Sequence, residues 1–289
     1  YILRKSFNGL LQIHDDYLDM DFNGRADLSK AVPEFRFDAD IRRAALKNLN
    51  LTKEDIRISG KVKSDFSGAK PDDIAGTISL KDVLVFRDTI SARVKYLNLD
   101  VLKTSGTKKE IKLNSDFAEA EMAGNFTLTN LPKALLAFGR YTFTKDYKDT
   151  TSIAQDFTAD IRIFEPGNLT RIIHPEFRMI RNSHVVAGFS SNNHQLSLTA
   201  SVPQLMFGSY DAKRIEVDAA FNKGSIDFKT VVDKVYNNDS LMLDTLSVTT
   251  RTQQNSDIRF DVSLADKKRY NYANVTAFVT PLVGKAVVR

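Results

Sequence analysis

The chain has 289 residues, 42% hydrophobic and 27% charged, with 41 Lys and Arg against 36 Asp and Glu for a net charge of +5. This balance excludes a disordered chain, and no apolar run approaches the roughly 20 residues that a helical bilayer crossing needs. Basic residues are dispersed singly, the densest groups being Lys108-Lys109 and Lys267-Lys268-Arg269, so no nucleic-acid partner is expected; the lack of Cys excludes disulfides, thiolate metal sites and a Cys nucleophile. The length admits two average domains or one large β domain. The sequence starts at Tyr1 without Met and still alternates at Val287-Val288, so it is expected to be a piece of a longer protein.

In chain order, Leu18, Met20, Phe22, Gly24, Ala26 and Leu28 alternate with polar residues, and after Pro33 so do Phe35, Phe37, Ala39 and Ile41. Period-two alternation predicts half-buried strands. Ile56 to Val62 and Ile74 to Leu80 follow around a Ser/Gly/Pro loop at 67–73, then Ile90, Ala92, Val94 and Tyr96. The stretch Glu110 to Leu131 shows the pattern at highest contrast: Ile111 and Leu113, then Ala118, Ala120, Met122, Phe126 and Leu128, are the apolar residues. Its parity changes across Asp116-Phe117, which predicts an amphipathic hairpin with a tight turn or bulge there. The alternation breaks between Pro132 and Ser152, where Leu131, Leu135, Leu136 and Phe138 at helical spacing behind Asn130 predict a short helix followed by a loop. Pro166-Gly167-Asn168 predicts another helical turn. Strands resume around Phe157 to Ile163 and run on to the C-terminal end, with Ser191-Asn192-Asn193 as a hairpin loop. The sum is roughly sixteen strands and one or two short helices. Almost nothing is available to cover the apolar strand faces, so they meet one another or line something they do not fill.

Several local motifs lead elsewhere. Asp19-Met20-Asp21-Phe22-Asn23-Gly24 matches the first half of a calcium loop, but Lys30 stands where the bidentate carboxylate belongs, and a plain strand is expected. His184 and His194 flank the 191–193 loop, within metal-ligand reach if the register allows, though strand-end histidines are the ordinary reading. No nucleophile elbow, phosphate loop or dinucleotide fingerprint occurs, and Glu119 and Glu121 lie on a polar strand face, so no catalytic residue, metal or cofactor is expected and the chain is read as a non-enzyme.

The segments Asp73-Ile74-Ala75-Gly76-Thr77-Ile78-Ser79-Leu80, Tyr96-Leu97-Asn98-Leu99 and Ile111 to Ala118 leading into Met122 to Leu128, with a related unit at Gly188-Phe189 and Leu196-Ser197-Leu198 before Pro203-Gln204-Leu205, resemble the periplasmic part of the TamB and AsmA-like family in the form found in Bacteroidota. That resemblance implies a mainly β fold: an elongated, curved, largely antiparallel sheet forming an open U-shaped hydrophobic trough, with one or two short helices. It implies a periplasmic protein between inner and outer membrane, engaged in phospholipid transport and outer-membrane biogenesis. Its partners would be phospholipid acyl chains, a BamA-like outer-membrane barrel through regions outside this chain, and the inner membrane through an N-terminal anchor also outside it. Residues 1–289 would then be a single elongated β segment, with possible sub-units 1–130 and 153–289 joined by a helix and loop at 131–152. The expected lipid-binding lining is the inward row Ile78, Leu80, Val94, Ile111, Leu113, Ala120, Met122, Phe126, Leu128, Ile161, Phe189, Leu198, Phe228, Leu243, Val248, Phe260 and Val262. The alternatives are a closed β-solenoid scaffold or binding module with a filled core, and a glycan-active β enzyme, against which the absence of Trp counts.

Overall fold

The computed structural model describes residues 2–3, 5–144, 154–254, 257–266, 272–282 and 285–288. The first strands are β1 (Ile2–Leu3), β2 (Ser6–His14), β3 (Leu18–Asp27), β4 (Glu34–Ala45), β5 (Ile56–Ser67), β6 (Ala75–Arg87), β7 (Ile90–Ser105), β8 (Lys108–Ser115) and β9 (Ala118–Asn125). Then come α1 (Leu131–Thr144), β10 (Asp156–Ile163), α2 (Leu169–Ile173), β11 (Phe177–Arg181), β12 (Ser183–Ser190), β13 (Gln195–Phe207), β14 (Tyr210–Asn222) and β15 (Ser225–Asn237). The last are β16 (Ser240–Leu243), β17 (Thr245–Thr252), β18 (Ile258–Ala265), β19 (Tyr272–Leu282) and β20 (Lys285–Val288). The fold is mainly β, antiparallel and not closed, with two helices among the described residues.

The chain divides into two compact units, residues 1–121 with 164–178 and residues 122–163 with 179–289. The division differs from the expected 1–130 and 153–289: it falls inside β9, gives α1 to the second unit and returns α2 to the first. The loop expected after the helix, 145–152, lies outside the described residues, as does Lys267-Lys268-Arg269.

In the first unit β1 to β8 form a meander in which each strand pairs with the next. The expected hairpin forms: the Ser115 hydroxyl donates to the Ala118 carbonyl at 2.8 Å and accepts the Ala118 N–H at 2.9 Å, and the Asn114 amide reaches Glu119. Strict alternation fails in β3 to β7. Register shifts fall at Asp19/Met20, between Ile41 and Ala44, and at Ser59/Lys61; Asp82 adopts φ 51°. In β7 the inward set changes from Ile90, Ala92 and Val94 to Leu97, Leu99 and Val101, which leaves Tyr96, expected inward, exposed. These irregularities lie beside one another across the sheet, since Lys81 pairs with both Lys61 and Tyr96. A bulge re-aims the strand and increases its local twist; aligned bulges let five strands bend together while one face stays apolar. Short α2 packs at the far end of β6 and β7, held by Arg87 donating to the Ile172 carbonyl (2.7 Å) and Asn168 donating to the Ser91 carbonyl (2.9 Å).

In the second unit β10, β12, β13, β14, β15, β17, β18, β19 and β20 pair in that order, with β16 continuing the ladder on the far half of β15. A similar switch occurs here. The apolar set Val202, Ile215 and Val232 is followed three residues along each strand by Leu205, Ala212 and Val235, with Arg214 at φ 49° and ion-paired to Asp233. The core gathers at the opposite strand ends, where Ile226, Ile258 and Val279 pack with Phe221, Phe228 and Phe260. α1 lies against this end, its Phe138 ring edge-on to Phe189 (5.5 Å) and Phe221 (5.8 Å). A buried clasp fixes its approach: the side-chain carbonyl of Gln155, fully buried, accepts the Thr127 N–H at 2.9 Å, and the Gln155 backbone N–H donates to the Ser191 hydroxyl oxygen at 2.9 Å.

Two glycines show how closely neighbouring strands approach. A Cβ on Gly76 (φ 126°) would lie 2.2 Å from the Asp65 carbonyl oxygen beside Phe66, and one on Gly124 (φ 145°) 2.1 Å from that of Asp156 beside Phe157. Both positions demand a residue without Cβ. Gly76→Val is expected to destabilise the chain by roughly 2 kcal/mol or more, against about 1 kcal/mol for Gly106→Ala, where the turn has open space; urea titrations followed by circular dichroism measure both. Phe138→Ala, which empties the contact between α1 and the core, is expected to cost about 3–5 kcal/mol in the same titration.

Candidate functional site

The pairing registers assemble the apolar residues of the first unit into rows that run across the strands. One row is Phe7, Ala26, Phe35, Phe66, Gly76, Val101 and Ile111; the next is Gly9, Gly24, Phe37, Ser64, Ile78, Leu99 and Leu113; a third is Leu11, Phe22, Ala39, Val62, Leu80, Leu97 and Ser115. Small residues stand beside large ones, and the rings meet across strands: Phe7 with Phe22 at 5.7 Å, Phe22 with Phe37 at 4.8 Å, Phe35 with Phe66 at 4.9 Å. Of these residues only Ala39, Ser64, Val101 and Ser115 are buried. The five rings and most of the large aliphatic side chains are half-buried, Leu11 is exposed, and the rings touch one another sideways.

The second unit repeats the arrangement. Phe157, Phe189, Leu196, Phe221, Ile226, Thr252, Ile258 and Val279 form the row beneath α1. Beyond it Ala159, Ala187, Leu198, Ala219, Phe228, Thr250, Phe260 and Ala277 form a second row, and Ile161, Val185, Ala200, Val217, Thr230, Val248, Val262 and Val275 a third. Every residue of the third row is half-buried or exposed. In each unit the structure therefore presents an apolar strand face that its helix covers only in part.

The expected lining residues separate into two groups. Ile78, Leu80, Ile111, Leu113 and Ala120 in the first unit, and Met122, Ile161, Leu198, Phe228, Leu243, Val248, Phe260 and Val262 in the second, are half-buried strand residues. Leu243 joins its face only through the switch beside Arg214, opposite Val235. Four others sit differently. Phe126 is 0% exposed, packed on Phe157 at 5.9 Å; Phe189 is buried under Phe138; Val94 is buried opposite Val83. Leu128 lies in the turn before α1, exposed and on no strand, because β9 ends at Asn125. The expected lining omits Phe7, Phe22, Phe35, Phe37 and Phe66; the alternation of Phe22, Phe35 and Phe37 is visible in the sequence, but what singles out all five is the cross-strand register, which brings residues up to 59 positions apart into one ladder.

The opposite face is charged. The Arg42 guanidinium, exposed at a bulge, donates to Asp19 (2.7 Å) and Asp21 (2.7 Å), and His14 stands 3.0 Å from Asp19. Hydrogen bonds from Arg42 and then His14 hold the Asp19 carboxyl down at about 2, and Asp21 is lowered for the same first reason. The half calcium motif therefore lies in a strand whose carboxylates face a guanidinium. Asp27 is likewise lowered to about 2, first by the Ser29 hydroxyl and then by Arg25. The β12–β13 register places His184 opposite Ser201, six residues from the turn, where it bonds Asp160 at 2.9 Å; His194, in the turn, stacks edge-on to Tyr141. The two histidines are not brought together, and no metal-holding group of His and carboxylates occurs among the described residues. A shallow concavity of about 640 Å³ on the charged face of the second unit is lined by His184, Thr199, Ser201, Glu216, Asp218 and Lys229 among others; there the Ser201 hydroxyl donates to Glu216 at 2.7 Å. No family model matches this chain, and neither a curated protein nor a solved structure does.

The depressed carboxyls set the acid response. A carboxyl whose folded value lies below its ordinary 3.8 stabilises the fold above 3.8, and that contribution is lost as pH falls toward about 2. Arg42→Met removes the first cause at Asp19 and Asp21, so the urea midpoint of this variant is expected to vary less than that of the wild type between pH 4 and pH 2, as read by circular dichroism.

Proposed function

We propose that the apolar strand faces bind the acyl chains of lipids, and that the chain is a segment of a periplasmic, TamB-like protein that carries phospholipid between inner and outer membrane in support of outer-membrane biogenesis. The observation that carries this reading is the half-buried apolar face in each unit, most developed in the ladder from Phe7 to Phe37 and its neighbours Ile78, Leu80, Leu99 and Leu113. Each methylene laid on such a face is worth about 0.8 kcal/mol, so an acyl chain supplies the apolar partner that the chain's own helices do not. The reaction is binding and release without covalent chemistry. Contact with a BamA-like barrel or an inner-membrane anchor belongs, on this reading, to parts of the protein outside this sequence. A filled solenoid scaffold is the competing reading, and it is favoured only at the α1 end of the second unit, where the core is packed.

Native mass spectrometry with lipid extraction tests the proposal. The wild-type chain, expressed in a Gram-negative host, is expected to carry phospholipid; the double variant Ile78→Arg, Leu113→Arg, at half-buried positions that admit a long side chain, is expected to keep its circular dichroism spectrum and lose that lipid. A wild type free of phospholipid, which also takes none from vesicles, favours the scaffold. Substitution at Phe126 is uninformative for this purpose, since a fully buried ring reports on folding.

A further inference from the structure

One pair of charges breaks the apolar face of the first unit. Lys103 in β7 and Lys109 in β8 stand directly opposite each other, two residues beyond the Val101–Ile111 pair, so both fall on the apolar side of the ladder. Two like charges face to face are destabilising in a sheet, and a buried lysine needs a partner. Lys109 is nevertheless only 4% exposed. The compensation comes from the loop between β5 and β6: Lys109 Nζ lies 3.4 Å from Asp72 and Lys103 Nζ 3.9 Å from Asp73. Both aspartates ride on a turn, closed by the Asp73 N–H to the Lys70 carbonyl, while both lysines are fixed in the ladder.

We propose that Lys103 and Lys109 form an anionic headgroup site at the end of the first unit's apolar face. The site takes a phosphate or similar oxyanion on an amphiphile whose alkyl chain lies along β7 and β8, across the rows, toward Leu97 and Ser115, with Asp72 and Asp73 as exchangeable counterions. This inference rests on the acyl-chain reading and deepens it. The dimensions agree: the six residues from Lys109 to Ser115 span about 20 Å of strand, enough for an alkyl chain that fills one leaflet, half of the ~30 Å hydrocarbon core of a bilayer. A paired lysine site matches an oxyanion, which accepts several N–H bonds at once.

The test uses two soluble amphiphiles with one alkyl chain and different heads, n-dodecyl phosphate and n-dodecyl maltoside, titrated calorimetrically into the chain below micelle formation, with inorganic phosphate as a third arm. The wild type is expected to prefer the phosphate head by about tenfold, the order of one added charge-assisted contact. Lys103→Met with Lys109→Met is expected to bind both amphiphiles equally, and Asp72→Asn with Asp73→Asn to tighten dodecyl phosphate several-fold while leaving the maltoside unchanged. Equal binding of the two heads by the wild type overturns the headgroup site and leaves the acyl-chain reading standing; binding of neither overturns both. Inorganic phosphate binding as tightly as dodecyl phosphate shows a free-oxyanion site and overturns the amphiphile. Should the lysine variant unfold, the aspartate variant decides alone, and no tightening in it sinks the proposal.

Discussion

Everything in this chain depends on one mismatch: its strands satisfy their backbone hydrogen bonds on neighbours to either side, but have too little protein to lay over their apolar faces. Ladder pairing is complete from β2 through β8 and from β12 through β19. Among the described residues the covering layer is two helices, one of them five residues long. In an ordinary sandwich a second sheet or a row of helices removes the inward side chains from water. Here the rings of Phe22, Phe37 and Phe66 gain contacts sideways along the rows and remain half-accessible above. Each such ring leaves roughly 1 kcal/mol of transfer free energy unrealised. Five rings in the three rows, Phe7, Phe22, Phe35, Phe37 and Phe66, carry that cost.

The bulges address a second problem, which is how to bend a sheet without exposing what it hides. A one-residue slip would send every side chain to the wrong face. In β3 to β7 the slips occur side by side and are occupied by Asp19, Arg42, Lys61, Lys81, Asp82 and Lys95, so the residues that turn outward are those that water tolerates. The same device recurs around Arg214 in the second unit. Charge on the outer face is thus partly a tool for placing bulges, which explains why Arg42 chelates two carboxylates from a neighbouring strand instead of lying free in solvent.

Much of this was legible in the sequence, because period-two alternation is a local signal. It located the strands from β3 to β9, the hairpin at Asp116-Phe117 and the short helix after Asn130, but it missed β1 and β2 and predicted roughly sixteen strands where twenty are described. It failed where geometry is not local. Tyr96 continues the alternation of Ile90, Ala92 and Val94 on paper, but the paired irregularity at Asp82 turns it outward. Phe126 reads as one more inward strand residue, yet the chain has already left the strand to begin α1, and the ring becomes core. The aromatic ladder required the registers of three hairpins at once, which composition and spacing do not specify. Lys109 was noticed only as half of a basic pair, and its burial follows from a loop that arrives from 37 residues earlier.

The two units differ in how they treat their faces, and the difference bears on what each can do. The second unit has a packed end, Ile226, Ile258 and Val279 under Phe138, from which its rows open progressively until Val275 is more than half exposed. The first buries valines and alanines, Val83, Val94 and Val101 with Ala39, Ala44 and Ala45, while its phenylalanine rings stay partly accessible. A packed end anchors a fold without a ligand; an accessible floor of large side chains gains most from one. On the proposed acyl-chain reading, the first unit is the one that a bound chain would stabilise most, by an amount that grows with the logarithm of ligand concentration over its dissociation constant.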